Sequence, residues 1–239
     1  MIKVRNLSKS IEKQKILDDI NLDVAEGEIL AVMGESGAGK TVFLQHLIGL
    51  MQPDSGRIEI AGRNIVGLPE RELLGIRKNI GYLFQAGALY DFMNVFENLA
   101  FPLKEHTDLN REEITARVQK ALTEVGLSDA AEKFPNQLSG GMNKRAALAR
   151  AVILGSRILL CDEPTSGLDP ERSRDISDLI DRLSRKYNST TVITSHDIEN
   201  SFRIADRLAI IQDGKIIAVG HRDELESSKN SAVRGFLLK

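Results

Sequence analysis

Eight residues decide most of what this chain is able to fold into. Gly34-Glu35-Ser36-Gly37-Ala38-Gly39-Lys40-Thr41 fits the pattern G-x-x-x-x-G-K-[ST] and lies between two apolar runs. The glycines let the backbone curl until successive N–H groups point at phosphate oxygens, and a following helix adds its positive end. In that setting Lys40 reaches the β- and γ-phosphates of a nucleotide, and Thr41 places its hydroxyl on Mg²⁺. Average composition produces the pattern by chance in on the order of 1% of chains this long, so its position between a strand and a helix carries the weight.

The flanks supply that position. Ile2-Lys3-Val4 and Ile20-Asn21-Leu22-Asp23-Val24 alternate apolar and polar residues, as half-buried strands do. Residues 2–33 read as β structure with a turn at Gly27, and residues 28–33 form the apolar strand ahead of the loop. Residues 40–50 suit a buried helix that ends at Gly49 and Pro53. Strands follow at 57–60 and 80–84, and from about residue 95 to 154 the period turns helical. Ile114, Val118, Ala121, Leu122 and Val125 share one helical face, opened by an Asn110/Glu113 capping box and closed by Gly126. Strands then return at 158–162, 190–195 and 208–212, with Asp169-Pro170 opening a helix between the first two. The pattern is an α/β core interrupted by a helical insert of roughly 60 residues.

The strand at 158–162 ends in a second chemical feature. After Ile158-Leu159-Leu160-Cys161 come two carboxylates, Asp162 and Glu163. Asp162 at the strand tip is placed to hold Mg²⁺ through water, and Glu163 to polarise an attacking water as general base. An acidic strand exit is common, so the pair means little without the phosphate loop upstream. Cys161 reads as a small buried hydrophobe.

Composition narrows the class. Of 239 residues 42% are apolar, which is enough for a sizeable core. The 32 basic and 34 acidic residues are mixed, without the basic stripe of a nucleic-acid binder, and no nucleic-acid partner is expected. One cysteine excludes an intramolecular disulfide and points to a reducing compartment. No run approaches the roughly 18 apolar residues that span a bilayer, and residues 1–6 lack a leader's apolar core. The chain is expected to be soluble by itself, with any membrane role supplied by a partner.

Leu138-Ser139-Gly140-Gly141-Met142 precedes Lys144-Arg145-Ala146-Ala147-Leu148-Ala149-Arg150-Ala151. With the phosphate loop and Asp162-Glu163, this resembles the ATP-binding-cassette (ABC) ATPases, whose signature is LSGGQ. The resemblance covers essentially the whole chain and takes in Gln85 (Q-loop), Ser166-Gly167-Leu168-Asp169 (D-loop) and His196 (switch histidine). It implies an α/β P-loop NTPase fold, the ABC-type nucleotide-binding domain. A RecA-like core with an N-terminal antiparallel β-subdomain would occupy 1–88 and 157–239, a helical subdomain 89–156 and a tail 227–239. It implies ATP and Mg²⁺ as cofactors, Glu163, His196 and Gln85 as catalytic residues, and Thr41, Gln85 and Asp162 on the metal. Loop 34–41, Ser139, Gly140, Gly141 and Asp169 would contact nucleotide. A second nest of N–H groups at 139–141 cannot reach the phosphates of its own loop if the insert stands apart. In the family it binds the γ-phosphate held by another copy, which implies a two-fold homodimer with ATP at the interface.

Two departures matter. Met142 replaces glutamine at the fifth signature position. Residues 10–16 hold no aromatic for adenine to stack on, so Ile11 is expected to pack on the base by dispersion, with little discrimination between ATP and GTP. His46, His106 and His221 read as structural or merely exposed.

The stretch Tyr82-Leu83-Phe84-Gln85-Ala86-Gly87-Ala88-Leu89-Tyr90-Asp91-Phe92-Met93-Asn94-Val95-Phe96-Glu97-Asn98-Leu99-Ala100-Phe101-Pro102-Leu103, with the LSGGM variant, looks like the Mla-type ATPases linked to Mce proteins, which move phospholipids between bacterial membranes. That resemblance implies a multispanning permease and a periplasmic Mce-type lipid-binding protein as partners. It also implies a place on the cytoplasmic face of the inner membrane. Tyr90, Phe92, Phe96 and Phe101 would line the permease groove or else pack the helical insert. Three alternatives stay open: a transporter of small solutes, a soluble cassette ATPase, and a non-hydrolysing scaffold, against which intact Glu163 and His196 argue. The apolar tail 232–239 would pack on a neighbouring subunit or complete its own core.

Overall fold

The computed structural model describes residues 1–238. In chain order its elements are β1 (Ile2–Ile11), β2 (Gln14–Val24), β3 (Ile29–Met33), α1 (Lys40–Leu47), β4 (Ser55–Ile60), β5 (Arg63–Asn64), α2 (Glu70–Arg77), β6 (Ile80–Leu83), α3 (Val95–His106), α4 (Arg111–Glu124), α5 (Gly140–Val152), β7 (Ile158–Asp162), α6 (Pro170–Tyr187), β8 (Thr190–Ser195), α7 (Ile198–Ile204), β9 (Arg207–Gln212), β10 (Lys215–Gly220), α8 (Arg222–Glu226) and α9 (Ser231–Leu237).

The alternation at the N-terminus builds an antiparallel sheet in the order β2-β1-β4-β5. Ile2 and Val4 of β1 and Ile20, Leu22 and Val24 of β2 are buried, while their polar neighbours face out. The second sheet runs β10-β9-β3-β8-β7-β6, parallel throughout except where β10 turns back on β9. Every residue of β3, β7 and β8 is buried, as expected for parallel strands covered on both faces.

Period-two alternation decides what covers each face. Leu30, Val32, Leu160 and Val192 pack with Phe43 and Leu44 of α1 and with the antiparallel sheet. Leu159, Cys161 and Ile193 pack instead with Leu99, Val118, Leu148 and Ile180 from α3, α4, α5 and α6. The helical insert is thus an extension of one face of the central sheet. α4 buries Ile114, Val118, Ala121 and Leu122, and the Asn110/Glu113 capping box is formed in both directions. α3 has an equivalent box from Asn94 and Glu97. Asp169 caps α6 with Pro170 in its first turn.

α2 has no counterpart in the hydrophobic pattern. It buries only Leu73, and Arg77 fixes its end by donating to the carbonyls of Ile48 and Gly49 beyond α1. The tail completes the chain's own core: Val233 is fully buried, and Phe236 and Leu237 pack with Ala31, Met33, Leu208 and Ile210. Lys239 lies outside the described residues. Among the described residues, no helix is long and apolar enough to cross a membrane.

Candidate functional site

Four neighbouring parallel strands end together. Met33 lies opposite Ser195, Asp162 opposite Thr194, and Leu83 opposite Cys161. The chain therefore delivers Gly34, His196, Glu163 and Gln85 to one rim, the carboxyl end of the strands, where open α/β sheets place their ligands. The expected phosphate loop, acidic pair, glutamine and histidine meet because their strands are adjacent.

Gly39 makes the loop possible. It sits at φ 96° and caps α1 without any side-chain hydrogen bond, so the first N–H groups of α1 stay available to an anion. A side chain there would approach the Ile16 carbonyl and the Leu17 side chain to 2.9 Å. Lys40 is 6% exposed, and its ammonium donates to the carbonyls of Gly34 (2.8 Å) and Glu35 (3.0 Å). It also pairs with Glu163 Oε1 at 3.0 Å.

The adjacent carboxylates point to different partners. Glu163 holds a left-handed conformation, φ 45°, which a non-glycine residue adopts only under constraint. Its N–H is held by the carbonyl and hydroxyl of Thr194, both at 3.1 Å. Asp162 Oδ1 accepts from Thr41 Oγ1 (3.0 Å) and Thr194 Oγ1 (2.7 Å). Glu163 Oε2 lies 2.7 Å from His196 Nδ1. One carboxylate thus faces the loop hydroxyl, and its neighbour bridges an ammonium and an imidazole. Gln85 Nε2 donates to Ser166 Oγ at 3.3 Å. Lys40, Thr41, Gln85, Glu163 and His196 line a cavity of about 600 Å³ together with Ser36, Gly37 and Ile16.

Thr41 and Asp162 offer adjacent hard oxygen donors, which suits Mg²⁺. Among the described residues no group of three or more His, Cys, Asp or Glu side chains could hold a metal. Mg²⁺ needs no such cluster where one or two protein oxygens act together with substrate phosphates and water.

Ser139, Gly140, Gly141 and Asp169 do not line this cavity. Ser139 Oγ caps α5 by accepting from Met142 N (3.3 Å). Gly140 and Gly141 look towards Leu168 and Arg172 at the start of α6. Asp169 caps that helix, and the hydrogen bond from the Arg172 N–H holds its carboxyl below the usual range. The second glycine turn and the C-terminal end of the D-loop therefore lie together outside the cavity, while Ser166 at the start of the D-loop lines it. Ile11, expected at the adenine, does not line this cavity. Left-handed Glu12 and Lys13 turn the chain so that Ile11 pairs with Gln14 on the hairpin, 39% exposed, while Ile16 lines the cavity.

Cys161 is fully buried, and burial pushes its thiol up, away from reactivity. His46 is buried with Nδ1 on the Val42 carbonyl (2.7 Å), and burial pushes its pKa down. The sequence assigns no role to Thr194 or Lys144 and gives Ser166 only as part of the D-loop. Their partners are distant in the chain, and a threonine or serine at a strand end carries no signal by itself.

A phosphate loop and an acidic strand end on one rim, with a serine-glycine turn opening α5 outside their cavity, are the features of a cassette-type nucleotide hydrolase. The model of the ABC transporter family matches residues 17–166, and the chain belongs to that family of ATPases. It is 43% identical over 237 residues to the intermembrane phospholipid transport ATP-binding protein MlaF of Haemophilus influenzae, covering 99% of this chain and 90% of that one. It is 42% identical over 236 residues to a ribonucleotide transport ATP-binding protein, mkl, of Mycobacterium leprae, covering 99% of this chain and 68% of that one. Among solved structures, the dimeric bacterial ABC transporter cassette MJ0796 superposes with a TM-score of 0.86 at 32% identity, over 92% of this chain and 98% of that one. The Clostridium perfringens cassette cbiO1 gives 0.87 at 29% identity, over 100% and 94%.

Proposed function

We propose that two copies of this chain enclose two ATP molecules head to tail and that their closure and hydrolysis drive a membrane transporter of phospholipids between bacterial membranes. The observation that carries the nucleotide part is the division above: Lys40, Glu163 and His196 share one cavity, and Ser139–Gly141 face elsewhere. Support for the dimer comes from the dimeric cassettes this chain resembles, one of them bound to ADP and Pi. Support for the cargo comes from the MlaF relatives.

In the first step Lys40 exchanges its carbonyl and carboxylate partners for phosphate oxygens, and the N–H groups of loop 34–41 and α1 hold the remaining charge. That frees Glu163 Oε1 to accept a proton from water, while His196 and Gln85 orient the water and the γ-phosphate. Thr41 and Asp162 would hold Mg²⁺, which when bound neutralises charge developing on the phosphates. Ser139, Gly140 and Gly141 of the second copy then complete the shell.

Ile16 presents only an aliphatic face, so the base is gripped by dispersion. The expected result of nucleotide titration is a preference for ATP over GTP below about a hundredfold, since apolar contacts discriminate weakly.

The segment after Gln85 fits a permease. Phe92 is 75% exposed and Tyr90 41%, whereas Phe96 and Phe101 are partly buried against the insert, Phe101 edge-on to Tyr90 at 5.3 Å. Phe92→Ser is expected to leave ATP binding by the isolated chain unchanged and to weaken capture of the permease from membranes at least about tenfold, the loss typical of an exposed aromatic anchor. A permease-docked ATPase of this kind sits on the cytoplasmic face of the inner membrane, with an Mce-type protein beyond it.

The cargo test uses the purified complex in vesicles holding a fluorescent phospholipid or a labelled ribonucleotide. ATP-dependent phospholipid movement supports the proposal. Ribonucleotide movement alone favours the function in the mycobacterial relative's name, and ATP-dependent movement of neither removes the phospholipid cargo.

A further inference from the structure

Helix α5 begins at the second glycine turn, and one of its faces grips the segment that follows β6. Lys144, five residues after Ser139, is 6% exposed, and its ammonium donates to the main-chain carbonyl of Gln85. Arg150 donates to the Gly87 carbonyl (3.2 Å) and lies over the Tyr90 ring, 5.7 Å from its centre. Between them Gly87, at φ 80°, packs so closely on Asn143 that any side chain there would run into the Asn143 amide. A helix rises about 1.5 Å per residue, so Lys144 stands only about 7.5 Å along the axis from Ser139.

A cation this buried needs a reason. Burial pushes the Lys144 ammonium down, and Asp162 and Glu163 pull it back up. Lysines are rarely buried unless paired, and Gln85 has a side chain in the nucleotide cavity while its backbone is held from α5. One rigid turn of helix therefore joins two different sites. In the head-to-tail pair proposed above its start would face a partner's nucleotide, and its second turn holds the backbone of Gln85, which lines the chain's own cavity.

We infer that Lys144 is a positioning residue that ties Gln85 in one nucleotide site to the glycine turn closing the other, so that the two sites of a pair act together. When Ser139–Gly141 engage a γ-phosphate across the interface, α5 moves as a body and carries the Gln85 backbone with it. This rests on the head-to-tail pair proposed above.

Lys144→Met keeps the length and apolar stem of the side chain and removes the donor. In the complete transporter complex it is expected to leave KM for ATP within about threefold, because loop 34–41 is untouched. It should lower kcat by about tenfold, the loss expected for a hydrogen bond to a charged group, and bring the Hill coefficient for ATP down to about 1. Lys144→Arg should restore most of both. Wild-type kcat and cooperativity in Lys144→Met would overturn the inference, as would a raised KM with kcat intact, no rescue by arginine, or an unaltered chain without cooperativity. Should Lys144→Met not fold, hydrogen exchange decides. With ATP added to Glu163→Gln protein, residues 85–88 and the first turns of α5 must gain protection together, and protection of α5 alone overturns the link. Absence of any ATP-dependent pair in Glu163→Gln protein instead strikes the head-to-tail arrangement itself.

Discussion

Glu163→Gln is expected to lower ATP turnover by at least about 10²-fold, the lower end of what a general base contributes, while ATP binding survives. The amide nearly matches the carboxylate in shape and takes its place between Lys40 and His196, where the distances are 3.0 and 2.7 Å. It has lost the charge that accepts a proton from water. Lys40, Thr41 and loop 34–41 are unaltered, so the ATP-bound pair accumulates instead of resolving. Light scattering after gel filtration should show ATP converting the variant to twice the chain mass. Turnover near the wild-type rate assigns the base elsewhere and removes Glu163 from the mechanism.

Lys40→Met is expected to act earlier, at binding. Lys40 is the ammonium that two loop carbonyls and Glu163 converge on, and the same convergence hands it to the phosphates when nucleotide enters. Loss of a hydrogen bond to a charged group costs about 1.5–3 kcal/mol, so calorimetry should find ATP affinity lower by about 10- to 100-fold. Turnover falls with it, because the charge developing on the γ-phosphate loses the ammonium that would stabilise it. The two variants therefore separate: one binds and does not turn over, the other fails at both. Unchanged affinity in Lys40→Met contradicts the assigned role.

What the sequence disclosed follows from how local each feature is. Loop 34–41, Asp162-Glu163 and the cap at Asn110 are written in consecutive or near residues, so their chemistry is legible before any fold is known. Gln85 and His196 were legible only by resemblance, since each is a lone residue after a strand. The order of strands β3-β8-β7-β6 is what brings them to the same rim. The adenine contact fell on Ile11 because position alone was read. The hairpin turn at Glu12 and Lys13 separates Ile11 from Ile16, which is the residue of this stretch on the cavity wall. α2 left no trace because a helix burying one leucine has no stripe to detect. Lys144 looked like part of a basic helix, and only its contact with Gln85, 59 residues away, shows that it is buried. The tail could be assigned to its own core only once β3 and β9 were seen to expose Ala31, Met33, Leu208 and Ile210 to it.

The account depends on each triphosphate lying between loop 34–41 of one copy and the 139–141 turn of another. Mixed pairs test this directly. A tagged chain carrying Lys40→Met, which holds ATP poorly, is combined with an untagged Glu163→Gln chain, and an ATP bearing a photoreactive group on its γ-phosphate is added. The account predicts label on residues 139–141 of the tagged chain, the copy that does not hold the nucleotide. Label confined to the untagged chain, with residues 139–141 of its partner unmarked, would contradict it.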